Sequence, residues 1–473
     1  MSAPFQRYDP DQPLLFPPDL REWLPAGHVA YFVMDVVGEG LDLGEIYRHY
    51  DIETTRDEQG KVLEERVKTN RGRPAYDPRM MTALLLYGYV TGVPSSRKIE
   101  QKCEEDVAFR VISANRKPDH ATIAEFRNVH LKALRGLFVQ VLQLCQEAKL
   151  ARLGHVSLDG TKVKANASKH KAMSYGHMAK RKEELEAEVA DLLRQAKEAD
   201  RVEDLKYGKG RRGDELPEEL QRRETRLAKI GAAMAAVVAK AKAEAERIRT
   251  EDEEERKRRE REGESPKGGR RPDPPETPKD KAQRNFTDAE SRIMRNSDKA
   301  FIQGYNAQAV VDAGHQVIVA CDVTDQAVDV QQLGPMVEAV KANTGEVPKA
   351  LSADAGYFSE ENVRVLEENG LDPLIAAERL THSEKPPSAR GRIPKDLSMK
   401  ERMRRKLRTL AGRALYALRK ITVEPVFGQI RTRGLLRFWL RGLEKVRAEW
   451  ALWCLGHNLL KLFRSGRFVP AAT

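Results

Sequence analysis

The feature that most constrains the fold of this chain is a long charged stretch, residues 178–285, that interrupts an α/β pattern. A strand pattern, GHVSLDGTKVKANA, precedes it with Val156 and Leu158 on one face, and strand and helix patterns alternate again from residue 286. The stretch begins with the composition of long helices, whereas residues 251–285 are rich in charge, proline and glycine, which predicts disorder or a linker. The sequence therefore predicts an α/β fold with an insertion between its first and second strands.

Composition narrows the class of protein further. The 473 residues include 83 lysines and arginines against 72 acids, a net charge of +11. Such an excess indicates either a polyanionic partner such as nucleic acid or simply a basic surface. There is no apolar run of the roughly 18 residues that a membrane span needs, and the four cysteines are scattered. We therefore expect no membrane association and a cytoplasmic, reducing setting.

The first 150 residues are predicted to be mostly helical. Asp77 is at a position typical of a helix N-cap, and either Ser95 or Ser96 caps the next helix. Short helices joined by tight turns carry Arg97, Lys98 and Arg127. This pattern suits a helix-turn-helix reader of DNA in which those three residues contact the duplex. An all-α packing domain remains the alternative.

Positive charge is concentrated near the C-terminus. Between Lys400 and Arg447 there are 15 lysines and arginines and three acids, a net charge of +12. Helices of this composition can present charge to DNA phosphates, although a solvated helix face is also compatible with it.

Three carboxylates stand out by position. Asp159 lies on the first strand and Asp354 ends the strand in KALSADAGY. Glu424 lies within residues 400–447, the basic segment. Acids at strand ends suit Mg²⁺, which prefers oxygen ligands, and two such ions support phosphodiester chemistry. Each acid alone could equally cap backbone amides.

Several blocks of this sequence resemble the DDE-type transposases of bacterial insertion sequences. They are VSLDGTKVKANAS, NFTDAESRIM with FIQGYNAQAVVD, LSADAGYFSEENV, and RKITVEPVFGQIR with the residues that follow it. The resemblance implies an RNase H-like mixed sheet flanked by helices, preceded by an N-terminal all-α domain. It also implies that Asp159, Asp354 and Glu424 are catalytic and hold two divalent metal ions, Mg²⁺ or Mn²⁺.

The same resemblance implies DNA contacts around the glutamate. Tyr416 and Arg419 keep the family's Tyr-x-x-Arg spacing, but Glu424 follows Arg419 by five residues where four is commoner, so Lys420 is a second candidate. Arg431 stands where the family usually has lysine, and arginine can bind phosphate bidentately. All four basic or tyrosyl residues are expected to contact the transposon-end phosphates.

Two local expectations concern the C-terminal helices. Because proline is tolerated in a first helical turn, Pro425 predicts a helix that begins beside it with Thr422 as N-cap. Trp439, Trp450 and Trp453 recur on a predicted apolar C-terminal helix and are expected to pack in the core, with base stacking the alternative for Trp439.

The predicted organisation has four parts. A probable DNA-binding domain spans 1–150, the first strand region of the core 151–177, the insertion 178–285 and the remaining core 286–465. The resemblance implies a nucleoid-associated enzyme that binds terminal inverted repeats and target DNA as a dimer, cleaves the ends and joins them to the target. A catalytically idle DNA-binding relic or regulator, and a nuclease without strand transfer, are the alternatives.

Overall fold

The computed structural model describes residues 19–50, 52–56, 62–67, 75–207, 218–262, 274–296, 298–378 and 397–468. The chain divides into two compact units. The first joins residues 1–165 to residues 305–473, and the second comprises residues 166–304. None of the helices in the described ranges combines the length and apolar character that a bilayer span requires.

The front of the first unit is built mainly from short helices, as the sequence predicts. Asp77 caps the third of them by accepting a hydrogen bond from the backbone N of Arg79 at 2.7 Å, which confirms the predicted cap. Gly92 follows the same helix with a φ of +82°. These helices are α1 (Val29–Asp35), α2 (Gly44–Tyr47), α3 (Pro78–Thr91), α4 (Ser96–Glu105), α5 (Val107–Ile112), α6 (His120–Val129) and α7 (Leu131–Glu147).

The front region also contains an antiparallel strand pair that the sequence analysis missed. Strand β1 (Ile52–Arg56) pairs with β2 (Val62–Val67), and Ile52 lies opposite Val67. β-branched residues recur in both segments, IETTR and VLEERV, which is the usual strand preference. Charged residues within both segments interrupt the alternation of apolar and polar residues by which a strand is normally recognised.

A mixed sheet lies at the centre of the first unit. Strand β9 pairs in parallel with both β3 and β10, β7 lies on the other side of β3, and β8 pairs antiparallel with β7. This arrangement is consistent with the predicted RNase H-like core. The other strands in the described ranges are β3 (His155–Lys164), β4 (Ala172–Ser174), β5 (Gln283–Asn285), β6 (Arg292–Arg295), β7 (Phe301–Asp312), β8 (Ile318–Thr324), β9 (Ala350–Ala353) and β10 (Asp372–Ile375).

Helices flank this sheet. In the first unit, the last helix, α14, packs against α3, α7 and β8, and the one before it, α13, packs on β3. Trp450 and Trp453 on α14 are fully buried, which confirms their predicted core role. Trp439 lies before this helix and is only partly buried, so its predicted place on the helix is wrong. The later helices are α8 (Tyr175–Tyr207), α9 (Glu218–Glu262), α10 (Leu333–Thr344), α11 (Glu360–Glu368), α12 (Met399–Lys406), α13 (Leu410–Thr432) and α14 (Leu443–Ser465).

The second unit contains the charged insertion. Helices α8 and α9 pack together around a small apolar cluster that includes Met178, Leu185 and Ile230. At the base of the insertion β4 pairs antiparallel with β5, and Asn285 Nδ2 donates to the carbonyl oxygen of Ser168 at 2.7 Å. Strand β6 pairs with residues 301–304, the part of β7 that belongs to this unit.

The prediction of disorder over 251–285 is wrong for the part of that range that the structure describes. Helix α9 continues to Glu262, and residues 274–285 lead into β5; residues 263–273 lie outside the described ranges. Opposite charges one helical turn apart support the end of α9, as in the pairs Arg247–Glu251 (2.5 Å) and Arg256–Glu260 (3.4 Å). Composition alone does not reveal this spacing.

The prediction that a helix begins near Pro425 with Thr422 as its cap is also wrong. Helix α13 starts more than a dozen residues earlier, capped by Thr409, and Pro425 lies inside it. Proline has no N–H, so the carbonyl of Ile421 loses its helical partner. Gln316 Nε2 donates to that carbonyl at 2.8 Å instead, and this contact allows the helix to continue.

The front helices meet the core through a close backbone contact. A Cβ atom on Gly92 would lie 1.7 Å from the carbonyl oxygen of Arg433, in the turn after α13. Gly434, in the same turn, has a φ of +127° and a hypothetical Cβ 3.2 Å from the carbonyl oxygen of Gly92. Only glycine fits both requirements at residue 92, the positive φ and the close approach.

We therefore expect Gly92→Ala to destabilise the first unit by at least about 2 kcal/mol, through backbone strain and the clash with the Arg433 carbonyl. The control is Gly136→Ala, at an exposed position within α7 where a Cβ meets nothing within 4 Å. That change should stabilise the helix by about 0.5–1 kcal/mol. Urea unfolding curves would measure both, and an unchanged midpoint for Gly92→Ala would contradict the packing described.

Candidate active site

Two of the predicted acids lie at the same end of neighbouring parallel strands. Asp159 is on β3, and Asp354 directly follows β9. Leu158 is paired with Ala353 in the parallel register, so the two aspartates come next on their respective strands. Each carboxylate accepts a backbone hydrogen bond at 2.8 Å through its Oδ1, one from an adjoining residue of β3 and one from the turn after β9.

The third acid is brought to Asp159 by a shared cation. Arg419, on α13, donates from Nη1 to Asp159 Oδ2 at 3.0 Å and from Nη2 to Glu424 Oε1 at 3.1 Å. The side chains of Arg419 and Asp159 are 13% and 18% exposed, whereas that of Glu424 is 48% exposed. The guanidinium thus joins the buried acid on the sheet to the more accessible acid on the helix.

Burial and like charge disturb the titration of Asp159. Burial is the main cause that raises its pKa, to about 6; Arg419 opposes the rise, and the neighbouring Asp354 adds to it. Tyr416 belongs to the same environment, since its ring centroid lies 6.0 Å from the Arg419 guanidinium carbon. Burial raises the pKa of the Tyr416 phenol as well. The cluster therefore favours a bound cation, which relieves the repulsion between its acids.

The donor set fits a divalent metal ion by its chemistry. Asp159, Asp354 and Glu424 offer carboxylate oxygens, the ligands preferred by Mg²⁺, and two of them already share a cationic group. In the arrangement seen here, no three or more histidine, cysteine, aspartate or glutamate side chains of the described ranges are grouped to hold a metal. Arg419 lies between two of the three carboxylates, so their convergence on a metal requires the guanidinium to move.

The predicted DNA contacts are placed unequally. Arg97 and Lys98 are exposed on α4, and Lys420 is exposed on α13. Arg431 on α13 is also exposed as a whole residue, but its Nη2 donates to Thr161 Oγ1 on β3. These positions leave Arg97, Lys98 and Lys420 accessible to a nucleic acid.

The expectation that Arg127 contacts DNA is corrected by its surroundings. Arg127 is only 6% exposed. Its guanidinium donates to the carbonyl oxygen of Pro94 at 2.9 Å and to Ser96 Oγ at 3.2 Å. The side chain therefore ties α6 to the start of α4, a structural role that the sequence pattern could not distinguish from phosphate binding.

The basic segment is also partly neutralised by acids from elsewhere in the sequence. Arg404 forms an ion pair with Glu378, and Lys400 lies 3.6 Å from the same carboxylate. Lys406 likewise pairs with Asp372. The charge available to DNA is therefore smaller than the +12 counted along the sequence.

The sequence analysis missed a polar network beside the two aspartates. Asp329 accepts hydrogen bonds from Lys162, Asn306 and Gln308, and the Tyr357 hydroxyl donates to Gln308 Oε1. Asp329 is one of several acids in DVTDQAVD, the end of β8 and the segment after it, and nothing in the sequence distinguishes it from the others. Only the alternation of Asn306 and Gln308 on a buried strand hints that they share a face.

Asp159→Asn should stabilise the metal-free protein by roughly 1–3 kcal/mol at pH 8, because the buried charge is removed. The folded-state pKa is raised, so the stability contributed by protonated Asp159 is complete below about pH 4 and lost as the pH rises through 6. The gain should therefore shrink as the pH falls from 6 towards 4. Melting curves in EDTA would test it. Asp119→Asn should not stabilise the protein, since Asp119 caps α6 and the backbone N–H of Thr122 lowers its pKa.

Comparison with known proteins identifies the family. Residues 272–459 match the family described as Transposase DDE domain, and residues 19–129 match the Transposase domain (DUF772). No curated protein and no solved structure matches the chain. The DDE match includes Asp354 and Glu424 but begins at residue 272, near the end of the insertion, so Asp159 lies outside it. Taken together, the two matches and the mixed α/β core show that the chain belongs to the DDE transposases of insertion sequences.

Proposed function

We propose that this transposase binds the terminal inverted repeats of its element, cleaves the DNA at the ends and joins the resulting 3′ hydroxyls to target DNA. Asp159, Asp354 and Glu424 are the proposed catalytic residues and metal ligands. The observation that carries the proposal is the Arg419 bridge, with bonds of 3.0 Å to Asp159 and 3.1 Å to Glu424, because it brings acids 265 positions apart in the numbering to one cation.

The protein's own contribution to this chemistry is the placement of charge. When bound, two divalent ions (Mg²⁺ or Mn²⁺) would activate a water or hydroxyl and stabilise the leaving oxygen. The backbone hydrogen bonds to Asp159 and Asp354 orient these carboxylates before any ion binds. Glu424 is the most exposed of the three, and so it is the ligand best able to adjust when DNA is present.

Arg419 links DNA binding to this site in the proposal. Its guanidinium balances part of the charge of Asp159 and Glu424 when neither metal nor DNA is present. A transposon-end phosphate is a bidentate partner for arginine and would compete for the same donors. Movement of Arg419 towards the phosphate would free the two carboxylates for metal binding at the moment when substrate arrives. Tyr416, Lys420 and Arg431 lie on the same helix and would contact the same end.

The front domain would supply sequence preference. Arg97 and Lys98 are exposed on α4 and are the proposed contacts to the inverted repeat. Transposition requires two ends to be held together, so a dimer is the arrangement that we propose on DNA. The proposed site of action is the bacterial cytoplasm, on the nucleoid.

The catalytic assignment predicts the behaviour of three variants. Asp159→Asn, Asp354→Asn and Glu424→Gln should each lower cleavage and strand transfer by at least about a thousandfold while end binding survives, since metal ligands are lost with little change in shape. The assay incubates protein, Mg²⁺, a labelled end fragment and a target plasmid. Asp322→Asn is the matched control, because Asp322 lies outside the proposed site, in a half-buried ion pair with Arg447.

The same assay separates the alternative functions. Cut ends without joined products would indicate a nuclease without strand transfer. Binding without either product would indicate an idle relic or regulator. Wild-type cleavage by any of the three variants would contradict the assignment of that residue.

DNA binding should divide between two surfaces. Lys420→Ala should weaken binding to specific and random duplexes alike and reduce the log–log salt slope by about 0.9, the loss of one phosphate contact. Arg97→Ala with Lys98→Ala should instead reduce the preference for the end sequence. The control is Lys341→Ala, an exposed lysine on α10. If Lys420→Ala keeps the wild-type salt slope, Lys420 does not contact a phosphate. If Arg97→Ala with Lys98→Ala keeps the full preference for the end sequence, these two residues do not supply that preference.

A further inference from the structure

A fourth carboxylate, Asp329, lies beside the proposed metal ligands and accepts several hydrogen bonds from the protein. Asp329 Oδ1 accepts from Asn306 Nδ2 at 2.6 Å, from Gln308 Nε2 at 3.0 Å and from Lys162 Nζ at 3.0 Å. Lys162 Nζ also lies 3.3 Å from Asp329 Oδ2. The lysine and aspartate side chains are 15% and 23% exposed, so solvent screens this pair only partly.

These contacts argue against a direct role for Asp329 in holding metal. Three donors already occupy Oδ1, and the Lys162 ammonium lies against both carboxylate oxygens. A carboxylate whose charge is matched by a lysine adds little to a metal site. Any effect of Asp329 on the reaction must therefore pass through the residues it contacts.

Asp329 lies beside the two glycines whose backbone N–H groups bind the proposed catalytic aspartates. Gly160 N donates to Asp159 Oδ1 and Gly356 N donates to Asp354 Oδ1, each at 2.8 Å. A Cβ on Gly160 would lie 3.0 Å from Asp329 Oδ1, and a Cβ on Gly356 would lie 3.6 Å from Asp329 Oδ2. One carboxylate therefore packs against both short backbone segments from which the proposed ligands extend.

The network also joins the elements that carry those segments. Lys162 is on β3, Asn306 and Gln308 are on β7, and Asp329 comes just before the turn Val330–Gln332. Asn362 Nδ2 donates to the carbonyl oxygen of Val330 at 2.7 Å, which connects this turn to α11. Removing the charge of Asp329 would loosen β3 and the turn after β9 relative to each other.

We propose that Asp329, held by Lys162, is a positioning residue that sets the orientation of Asp159 and Asp354 for metal binding. The inference rests on the proposed function, because it takes those two aspartates to be metal ligands. Groups that orient metal ligands typically change metal affinity by about 10- to 100-fold when they are removed. Asp329 would act on metal affinity first and on catalysis only through it.

The test uses the full-length protein and Mn²⁺ as the probe, with binding measured by calorimetry or by the electron paramagnetic resonance of free Mn²⁺. Asp329→Asn keeps the shape but places an amide NH₂ among three donors. We expect Mn²⁺ affinity to fall by about 10- to 100-fold. End binding in EDTA should stay within twofold of wild type. Asp322→Asn, the same change at an ion pair with Arg447, should bind Mn²⁺ as wild type does.

Cleavage measured against metal concentration separates positioning from general damage. If Asp329 positions the ligands, raising the metal concentration should restore most of the cleavage rate of Asp329→Asn. If the variant only lowers the folded fraction, the rate should fall equally at every metal concentration, and that result would overturn the proposal. Mn²⁺ affinity equal to that of wild type would overturn it too.

Two further variants keep the inference testable. If Asp329→Asn does not fold, Lys162→Gln leaves the carboxylate but removes its cation, and it should weaken Mn²⁺ binding in the same direction; wild-type affinity would overturn the proposal. Asp159→Asn reports on the proposed function itself. If it binds Mn²⁺ as wild type does, both the function and the inference fail. If it loses Mn²⁺ while Asp329→Asn and Lys162→Gln do not, only the positioning role fails.

Discussion

The site depends on the parallel pairing of β3 with β9. The two strands are separated in sequence by the whole insertion, yet their register places Leu158 beside Ala353 and so brings the following aspartates together. A buried hydrogen bond of 2.9 Å between the hydroxyls of Ser157 and Ser352 lies one step before this point. A shift of one residue would turn Asp159 or Asp354 to the other face, so this register is a condition for the site.

In the metal-free site the proposed metal ligands Asp159 and Glu424 are bound to Arg419 instead of a metal. Arg419 occupies the space between Asp159 and Glu424, and the repulsion between Asp159 and Asp354 is offset by this one guanidinium. Arg419, a side chain that can also bind phosphate, therefore offsets only part of the cost of burying Asp159, whose pKa stays raised. A bound metal ion would supply the positive charge that this one guanidinium does not.

How much of this could be predicted from sequence varies from residue to residue. The strands that carry Asp159 and Asp354 are visible as apolar patterns, and the family resemblance extends to Glu424. The burial of Arg127 and the continuation of α13 through Pro425 could not be predicted, because each depends on a partner distant in sequence. Asp329 was missed for the same reason, since its neighbours come from β3 and β7.

The small β4–β5 pair at the base of the insertion has a consequence for folding and for evolution. Ala172 pairs with Asn285, so the excursion is closed on itself. Once this pair has formed, the chain connecting β3 to β7 behaves as a loop of about 25 residues. The entropic free-energy cost of bringing the two strands together is then lower by about 1.5 kcal/mol than for an open loop of the full length. Helices α8 and α9 could lengthen, shorten or diverge in sequence while the path between the catalytic strands stays short.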